Sequence, residues 1–166
     1  MRMPMVSREM IADSIELMVT AHALDALVLV TNCDKITPGM LMAAGRLNIP
    51  AILVSGGPMA AGCHRGRRVC YTDVIEAEGR VESGALPAAE LEALARAAVP
   101  GPGSCAMMGT ANTMNMLTEA LGMILPDGAL TAAVDGARLA LARRSAHLLM
   151  AMLERGLLPR DIMTRA

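Results

Sequence analysis

Two short apolar runs constrain the fold of this chain more than any other feature of its sequence. Residues 26–30 read ALVLV and residues 51–54 read AILV. Continuous apolar runs of this length are typical of strands that are covered on both faces, as in parallel sheets. Between them, Thr37 and Pro38 predict the N-cap and first residue of a helix that extends to about Leu47, before Pro50. The pattern therefore predicts a βαβ unit with a small parallel sheet.

Helical periodicity dominates the rest of the chain. A first helix is predicted from an N-cap at Ser7 to about His22, with an apolar inner face formed by Ile11, Ile15, Met18 and Val19. Further helices are predicted over residues 73–82, 87–98, 109–122 and 131–155, the last closed by Gly156. In the helix over 109–122 we expect the apolar residues to face the core, namely Met116, Leu117, Ala120 and Leu121. The predicted fold class is α/β, a small parallel sheet of the βαβ type flanked by more numerous helices, in a single domain over residues 1–166.

Composition and charge exclude several classes of protein. The hydrophobic fraction is 54%, which excludes a disordered chain, and the net charge of −1 comes from mixed acids and bases. A nucleic-acid partner is not expected, because it requires a clustered basic face. The uncharged stretches over 47–64 and 97–118 are interrupted by Pro and Gly, and no apolar segment follows Arg2. We therefore expect neither a membrane span nor a secretory signal, and a cytoplasmic location.

The first candidate site is the polar segment TNCDK over residues 31–35, directly after the first predicted strand. Ligands of open α/β sheets bind at the carboxyl ends of the strands. A Cys33 thiolate is a soft ligand suited to iron and an Asp34 oxygen is a hard ligand suited to magnesium, so one short loop can contact two metals. The alternative is a solvated loop in which Asp34 caps the next helix and Lys35 faces water. Spacing alone favours this alternative, because helix caps are common and metal sites are rare.

The second candidate is Cys105, which follows Gly and Ser in a Gly- and Pro-rich loop before a helix. Glycine lets the backbone approach a bulky ligand closely, whereas a buried cysteine that acts as a small hydrophobe is the more common alternative. The segment SGGPMAAG over 55–62 is either a binding loop or a tight turn after the second strand. Cys63 and Cys70 flank a basic stretch and lack a second Cys or His pair, so ordinary thiols are favoured there over a zinc site.

Three longer segments resemble one protein family. The segment over 7–62 contains NCDKITPGM, the segment over 100–133 contains GSCAMMGTANTMN, and the chain closes with LLPRDIMTRA. Together they are similar to the dihydroxy-acid dehydratase and sugar-acid dehydratase family over nearly the whole chain. These motifs are long and specific, so the resemblance reverses the preference for ordinary loops at Cys33, Asp34, Lys35 and Cys105.

The resemblance implies a hydro-lyase that removes water from a 2,3-dihydroxy carboxylic acid and forms a 2-keto acid, in branched-chain amino-acid biosynthesis. It implies an iron–sulfur cluster, of the 2Fe–2S or the 4Fe–4S type, held by three cysteines, two of which match Cys33 and Cys105. It also implies a magnesium ion held by residues that match Asp34 and Lys35, the lysine as a carbamate. Hydroxide is a poor leaving group, so an iron Lewis acid suits the reaction, and magnesium stabilises the charge that develops as the C2 proton is lost.

The chain departs from the family pattern in two respects. Val99 stands where family members often have another cysteine, one that is not expected to bind the cluster. The third cluster cysteine, further magnesium ligands and the serine general base of the family have no counterpart here, and neither Cys63 nor Cys70 matches the missing ligand. We therefore expect a truncated part of the N-terminal domain of a longer dehydratase, with no complete set of catalytic residues and no activity alone.

Two alternatives stay open from the sequence. One is a fragment of a sugar-acid dehydratase, acting on aldonates or phosphogluconate, because the motifs do not identify the substrate-binding residues. The other is a non-catalytic module that oligomerises through an exposed apolar surface. The expected partners are a small-molecule dihydroxy acid, once another chain completes the site, and further copies of this chain in a homo-oligomer.

Overall fold

A computed structural model describes residues 3–164 of the chain. Along the chain, the elements are α1 (Pro4–His22), β1 (Leu27–Thr31), α2 (Ile36–Leu47), β2 (Ala51–Ser55), β3 (Gly62–His64), β4 (Arg67–Val69), α3 (Tyr71–Glu82), α4 (Ala88–Ala98), α5 (Thr110–Ala120), α6 (Ala137–Arg155) and α7 (Pro159–Ile162). The predicted helix-rich α/β class is confirmed. Within residues 3–164, no helix is both long and apolar enough to cross a bilayer.

β1 and β2 form the predicted parallel sheet, with α2 as the connection between them. Their register runs from Leu27 opposite Ala51 to Thr31 opposite Ser55. All five residues of β2 are buried, as predicted for a strand covered on both faces. The same prediction is wrong for β1, where Val28 and Val30 are 43% and 66% exposed. The reason is that α6 packs against the sheet mainly over β2.

The main hydrophobic core lies on one face of this sheet. The two strands contribute their inward side chains, and α1, α2 and the segment after α5 close over them, so that the core contains Val19, Leu27, Leu29, Ala44, Ala51, Leu53, Met123 and Ile124. The free edge of β2 is partly paired as well, because the Leu53 amide donates to the Met123 carbonyl at 2.8 Å. This bond ties the end of α5 to the sheet.

A second hydrophobic cluster lies under the β3–β4 hairpin, between α3 and α4. Its buried members are Val69, Val74, Ala77, Leu94 and Ala98. The helices were predicted to within two residues, but the hairpin was not. Its two-residue turn places Arg65 and Gly66 at positive φ. Two-residue hairpin turns are usually recognised in a sequence by Asn-Gly or Asp-Gly. The arginine at the first turn position is not such a signal, so the sequence did not predict the hairpin.

The first helix differs from its prediction at its start and on one face. α1 begins at Pro4 with Met3 as its N-cap, so Ser7 lies inside the helix and is not the cap. Val19 is buried as expected, whereas Met18 is exposed. A single helix face cannot bury both neighbours fully, since adjacent residues lie about 100° apart.

Two further helix starts differ for local reasons. α2 begins at Ile36, with Lys35 in the N-cap position, so Thr37 lies in the first turn and is not the cap. α6 begins at Ala137 and not at residue 131, because residues 127–135 form turns closed by their own hydrogen bonds. Gly156 ends α6 with a φ of 65°, which confirms the predicted glycine cap.

The close contact between α1 and α2 depends on Gly39. A Cβ atom at this position would lie 2.9 Å from the Arg8 carbonyl oxygen and 2.9 Å from Cγ2 of Ile11. Arg46 also joins the two helices, through ion pairs with Glu9, Asp13 and Glu16. The Arg46 guanidinium lowers the pKa of Glu9, but exposed ion pairs of this kind contribute little to stability, because water and salt screen them. The small residue at the crossing is therefore the stronger determinant.

Gly39→Ala should lower the free energy of unfolding by about 1–3 kcal/mol, because the added methyl group forces two packed helices apart. Gly45→Ala is the matched control in the same helix, where the nearest atom to an added Cβ is 3.8 Å away. It should stabilise the chain by about 0.5–1 kcal/mol, as alanine does in a helix. Urea denaturation of both variants tests this, and equal stabilities would contradict it.

A carboxylate at the start of α3 should make stability depend on pH. Asp73 Oδ2 accepts the Cys70 amide at 2.7 Å, and this hydrogen bond is the main reason that the pKa of Asp73 is lowered, with a smaller contribution from Arg67. A lowered pKa in the folded state stabilises above the unfolded pKa of 3.8, and this stabilisation is lost as the pH falls through the folded pKa. Asp73→Asn should therefore lose less stability between pH 6 and pH 3 than the parent chain, as chemical denaturation would measure. Glu78→Gln, an exposed change on the same helix, should leave the parent's pH dependence in place.

Candidate functional site

The TNCDK segment forms the loop between β1 and α2, at the carboxyl end of the sheet. Cys33 is exposed, and Asp34 and Lys35 are half-buried. Cys33 Sγ lies 4.0 Å from Asp34 Oδ1, and Lys35 Nζ lies 3.7 Å from Asp34 Oδ2. A thiol, a carboxylate and an amine thus meet at one point, in a loop that remains open to an incoming ligand.

The buried hydroxyl of Thr37 contacts the backbone of this loop. Thr37 is fully buried, and its Oγ1 lies 2.7 Å from Thr31 Oγ1, 3.1 Å from the Cys33 carbonyl oxygen and 3.4 Å from Asn115 Oδ1. The Thr37 hydroxyl carries one hydrogen, so it donates to only one of these oxygens at a time. The Thr37 amide also donates to the Cys33 carbonyl, at 3.2 Å. The Cys33 loop is therefore linked to α5, more than seventy residues away in sequence.

Cys105 lies on a second loop, which is docked onto the segment after β2. The Ser104 amide donates to the Gly57 carbonyl at 3.0 Å, and the Met59 amide donates to the Ser104 carbonyl at 2.8 Å. Ser104 is buried and Cys105 is half-buried. Gly103 makes this approach possible, because it has a φ of 129° and any Cβ there would collide with the Met59 backbone. The glycine before Cys105 therefore serves a close backbone approach.

An asparagine of α5 holds the Cys105 loop directly. Asn112 is buried, and its Nδ2 donates to the Cys105 carbonyl at 2.7 Å and to the Met107 carbonyl at 2.6 Å. Its Oδ1 accepts the Ser104 hydroxyl at 2.6 Å. All three hydrogen-bonding groups of the amide are used, so the backbone on both sides of Cys105 has a fixed position relative to α5.

The loops after β1 and β2 adjoin because the strands are parallel neighbours. The Gly56 amide donates to the Thr31 carbonyl at 2.7 Å, and a Cβ on Gly56 would lie 2.9 Å from the Asn32 side chain. The segments 31–35, 55–59 and 103–107 therefore form one surface, which we call the carboxyl-edge site. Segment 55–59 acts there as the link between the two cysteine loops, in addition to turning the chain.

Buried Arg138 forms a hydrogen bond with the 55–59 segment of the carboxyl-edge site. Arg138 Nη1 donates to the Ser55 carbonyl at 2.8 Å and to the Gly128 carbonyl at 2.5 Å. Burial lowers the pKa of Arg138, and the negative charge of Asp135 opposes this. Within residues 3–164, Nε and Nη2 of Arg138 have no hydrogen-bond partner. Sequence reasoning missed Arg138, because nothing distinguishes it from other arginines of a predicted helix.

The expected inner face of α5 is wrong. The four apolar residues predicted to face the core are exposed, namely Met116, Leu117, Ala120 and Leu121. The buried residues are Ala111, Asn112, Asn115 and Thr118. The polar face turns inward because Asn112 bonds to the Cys105 loop and Asn115 bonds to Thr37 in the first turn of α2, which apolar side chains cannot do. The three-residue spacing of Asn112 and Asn115 in the TANTMN sequence is the one signal that could have indicated this face.

The metal-ligating side chains of the carboxyl-edge site are few. Over residues 3–164, no three His, Cys, Asp or Glu side chains lie close enough together to hold a metal ion. Cys63 is exposed on the hairpin, away from these loops, and His64 Nε2 lies 2.9 Å from Glu90 Oε1, where it lowers the pKa of that carboxyl. The structure thus places Asp34 beside Cys33, and Cys105 on an adjoining loop.

Gly103→Ala should disrupt the docking of the Cys105 loop, because a side chain there is strained by about 1–3 kcal/mol and collides with the Met59 backbone. We expect faster alkylation of the Cys105 thiol, measured by peptide mass mapping, and a lower melting temperature. Gly101→Ala is the control, two residues earlier in the same loop, where an added Cβ meets nothing within 4 Å. Equal Cys105 alkylation rates in the two variants would rule out a docked loop.

Comparisons with known proteins agree with the motifs that form this site. The chain matches the family model for the dihydroxy-acid/6-phosphogluconate dehydratase N-terminal region over residues 1–166. It is 53% identical over 165 residues to a dihydroxy-acid dehydratase of Halothermothrix orenii and 54% identical over 164 residues to that of Moorella thermoacetica. A third relative of the same name, from Ignicoccus hospitalis, is 49% identical over 171 residues. Each match covers 99% of this chain and 30% of the relative. The chain belongs to the dihydroxy-acid/6-phosphogluconate dehydratase family, of whose N-terminal region it carries the sequence.

Proposed function

We propose that this chain supplies the N-terminal part of the active site of a dihydroxy-acid dehydratase. The reaction is the removal of water from a 2,3-dihydroxy carboxylic acid to give a 2-keto acid, in branched-chain amino-acid biosynthesis. One observation carries the proposal: the loop with Cys33, Asp34 and Lys35 and the loop with Cys105 both adjoin the 55–59 segment, at the carboxyl end of the sheet. The chain spans about 30% of the length of its named relatives.

The donor atoms at the carboxyl-edge site fit the metals that the family resemblance implies. Cys33 and Cys105 would hold an iron–sulfur cluster of the 2Fe–2S or 4Fe–4S type, and two thiolates are suitable soft ligands for part of it. Asp34 would hold Mg²⁺ together with Lys35 as a carbamate, and Lys35 Nζ is already 3.7 Å from Asp34 Oδ2. When bound, these groups would provide Lewis acids for the departing hydroxide and the substrate carboxylate.

The protein's own residues have a positioning task in this proposal. Thr37 and Asn112 bond to the carbonyl oxygens of Cys33 and Cys105, so both cysteines are held through the backbone while their sulfur atoms stay free to bind. The 55–59 segment joins the two loops, and Arg138 supports that segment through Ser55. Held loops reduce the entropy that ligand binding costs.

The relatives favour a branched dihydroxy acid over a sugar acid as the substrate. The family model covers both dihydroxy-acid and 6-phosphogluconate dehydratases, whereas the three relatives above are named dihydroxy-acid dehydratases. We further propose that the enzyme acts in the cytoplasm, where reduced thiols are maintained, and as a homo-oligomer, since apolar side chains such as Val30 and Leu139 are exposed.

Anaerobic reconstitution with iron and sulfide tests the assignment of the cysteines. We expect bound iron and acid-labile sulfide with visible absorption, while an added dithiol fills the iron positions that the chain does not ligate. Cys33→Ser and Cys105→Ser should each lower the bound iron by about tenfold or more, because each removes one of the two thiolates proposed to hold the cluster.

Cys63→Ser is the matched control, since Cys63 is an exposed thiol on the hairpin, outside the carboxyl-edge site. It should bind iron and sulfide like the parent chain. A parent chain that binds no iron, or equal iron in all three variants, would overturn the proposed cluster site. Activity with a branched dihydroxy acid, and not with gluconate, should appear only when the remainder of a relative's sequence is joined to this chain.

A further inference from the structure

We propose that Asn112 and Asn115 of α5 are positioning residues that fix the separation between Cys33 and Cys105. The inference rests on the proposed function only in taking these two thiols as ligands of one cluster. Each asparagine is connected to one of the two cysteine loops, and both lie on a single rigid helix. The helix therefore works as a spacer between two ligands that are distant in sequence.

The connection to Cys105 is direct. Asn112 Nδ2 donates to the Cys105 carbonyl at 2.7 Å, and the same amide is bonded to Met107 and Ser104 on either side. Three bonds from one buried side chain hold a loop that otherwise has no regular secondary structure. The Cys105 backbone thus has a fixed position relative to α5.

The connection to Cys33 passes through Thr37. Thr37 Oγ1 lies 3.4 Å from Asn115 Oδ1, to which it can donate its one hydrogen, while the Thr37 amide separately donates to the Cys33 carbonyl at 3.2 Å. Asn115 and Thr37 are both 0% exposed, so no water competes for this path. α2 and α5 pack against each other at this point. The Cys33 backbone is thus connected, through Thr37, to the same helix that holds the Cys105 backbone.

The spacing on the helix fits this role. Residues three apart lie on the same face, one turn from each other, so Asn112 and Asn115 point to the same side of α5. An apolar pair would pack there without a polar penalty, and Asn115 Nδ2 is buried without a partner among residues 3–164. Core packing alone does not explain a fully buried asparagine at this position, whereas its bond to Thr37 does.

Thiol bridging measures the separation without any metal. The background variant carries Cys63→Ser and Cys70→Ser, so that only Cys33 and Cys105 react with bifunctional thiol reagents of graded length. We expect one preferred reagent length. Asn112→Ala and Thr37→Val, which breaks the Cys33 path with an isosteric side chain, should each lower the bridged fraction at that length by about fivefold, the factor that one net hydrogen bond represents.

Thr118→Ala is the matched control for general destabilisation. Thr118 is also 0% exposed and on the buried face of α5, but its hydroxyl bonds to Met114 within the same helix and to neither cysteine loop. It should leave the bridged fraction unchanged. Circular dichroism would show that each variant is folded at the temperature of the assay.

The outcomes separate this inference from the proposed function. Asn115→Ala added to Thr37→Val should cause no further loss, since both act on one path, while Asn112→Ala should add its own loss. Unchanged bridging in the asparagine variants, an equal loss in Thr118→Ala, or no bridging at any length would overturn the spacer role. A chain that bridges as expected but binds no iron would retain the spacer and refute the cluster.

Discussion

The carboxyl-edge site depends first on the parallel pairing of β1 with β2. With Thr31 opposite Ser55, the two chain ends leave the sheet at the same edge, and the Gly56 amide bonds across to the Thr31 carbonyl. An antiparallel pair would send one loop to each end of the sheet and separate Cys33 from the 55–59 segment. Parallel pairing in turn requires a crossover, which α2 provides. The Cys105 loop is positioned without belonging to a strand, because the Ser104 backbone forms hydrogen bonds with the segment that follows β2.

A second constraint follows, because the two cysteine loops have little regular secondary structure and need a rigid element to fix their positions. β2 is fully buried, and α5 is fastened to it by the bond from Leu53 to Met123. α5 then presents a polar face to the cysteine loops and leaves its apolar residues outside. This reverses the usual order of a surface helix, in which polar residues face water. The reversal is understandable only if the loops have hydrogen-bonding groups that the helix must satisfy.

Much of this fold could be predicted from the sequence, and the failures have physical causes. The strands, the α2 crossover and the Gly156 cap came from apolar runs and turn residues, which act locally. The inward face of α5 did not, because Asn112 and Asn115 are buried by partners that lie outside the helix. The β3–β4 hairpin was hidden by an Arg65-Gly66 turn. At the site, motif resemblance predicts roles for Cys33, Asp34, Lys35 and Cys105. Thr37 and Arg138 act through long-range hydrogen bonds that leave no pattern in the sequence.

The distribution of unsatisfied polar groups gives an independent argument for where function lies. Within residues 3–164, four of the five buried side-chain atoms without a partner belong to Asn32, Asn115 and Arg138, and the fifth is Arg8 Nε on α1. Asn32 lies in the carboxyl-edge site, and Asn115 and Arg138 bond to residues next to it or in it. Each unsatisfied group costs about 1–3 kcal/mol, so a segment shaped for stability alone would not collect them in one place. Proteins most often depart from local sequence preferences, and accept a loss of stability, at residues that form a functional site. The polar, incompletely satisfied layer beneath Cys33 and Cys105 is therefore better explained as the support of a binding site than as a defect of the core.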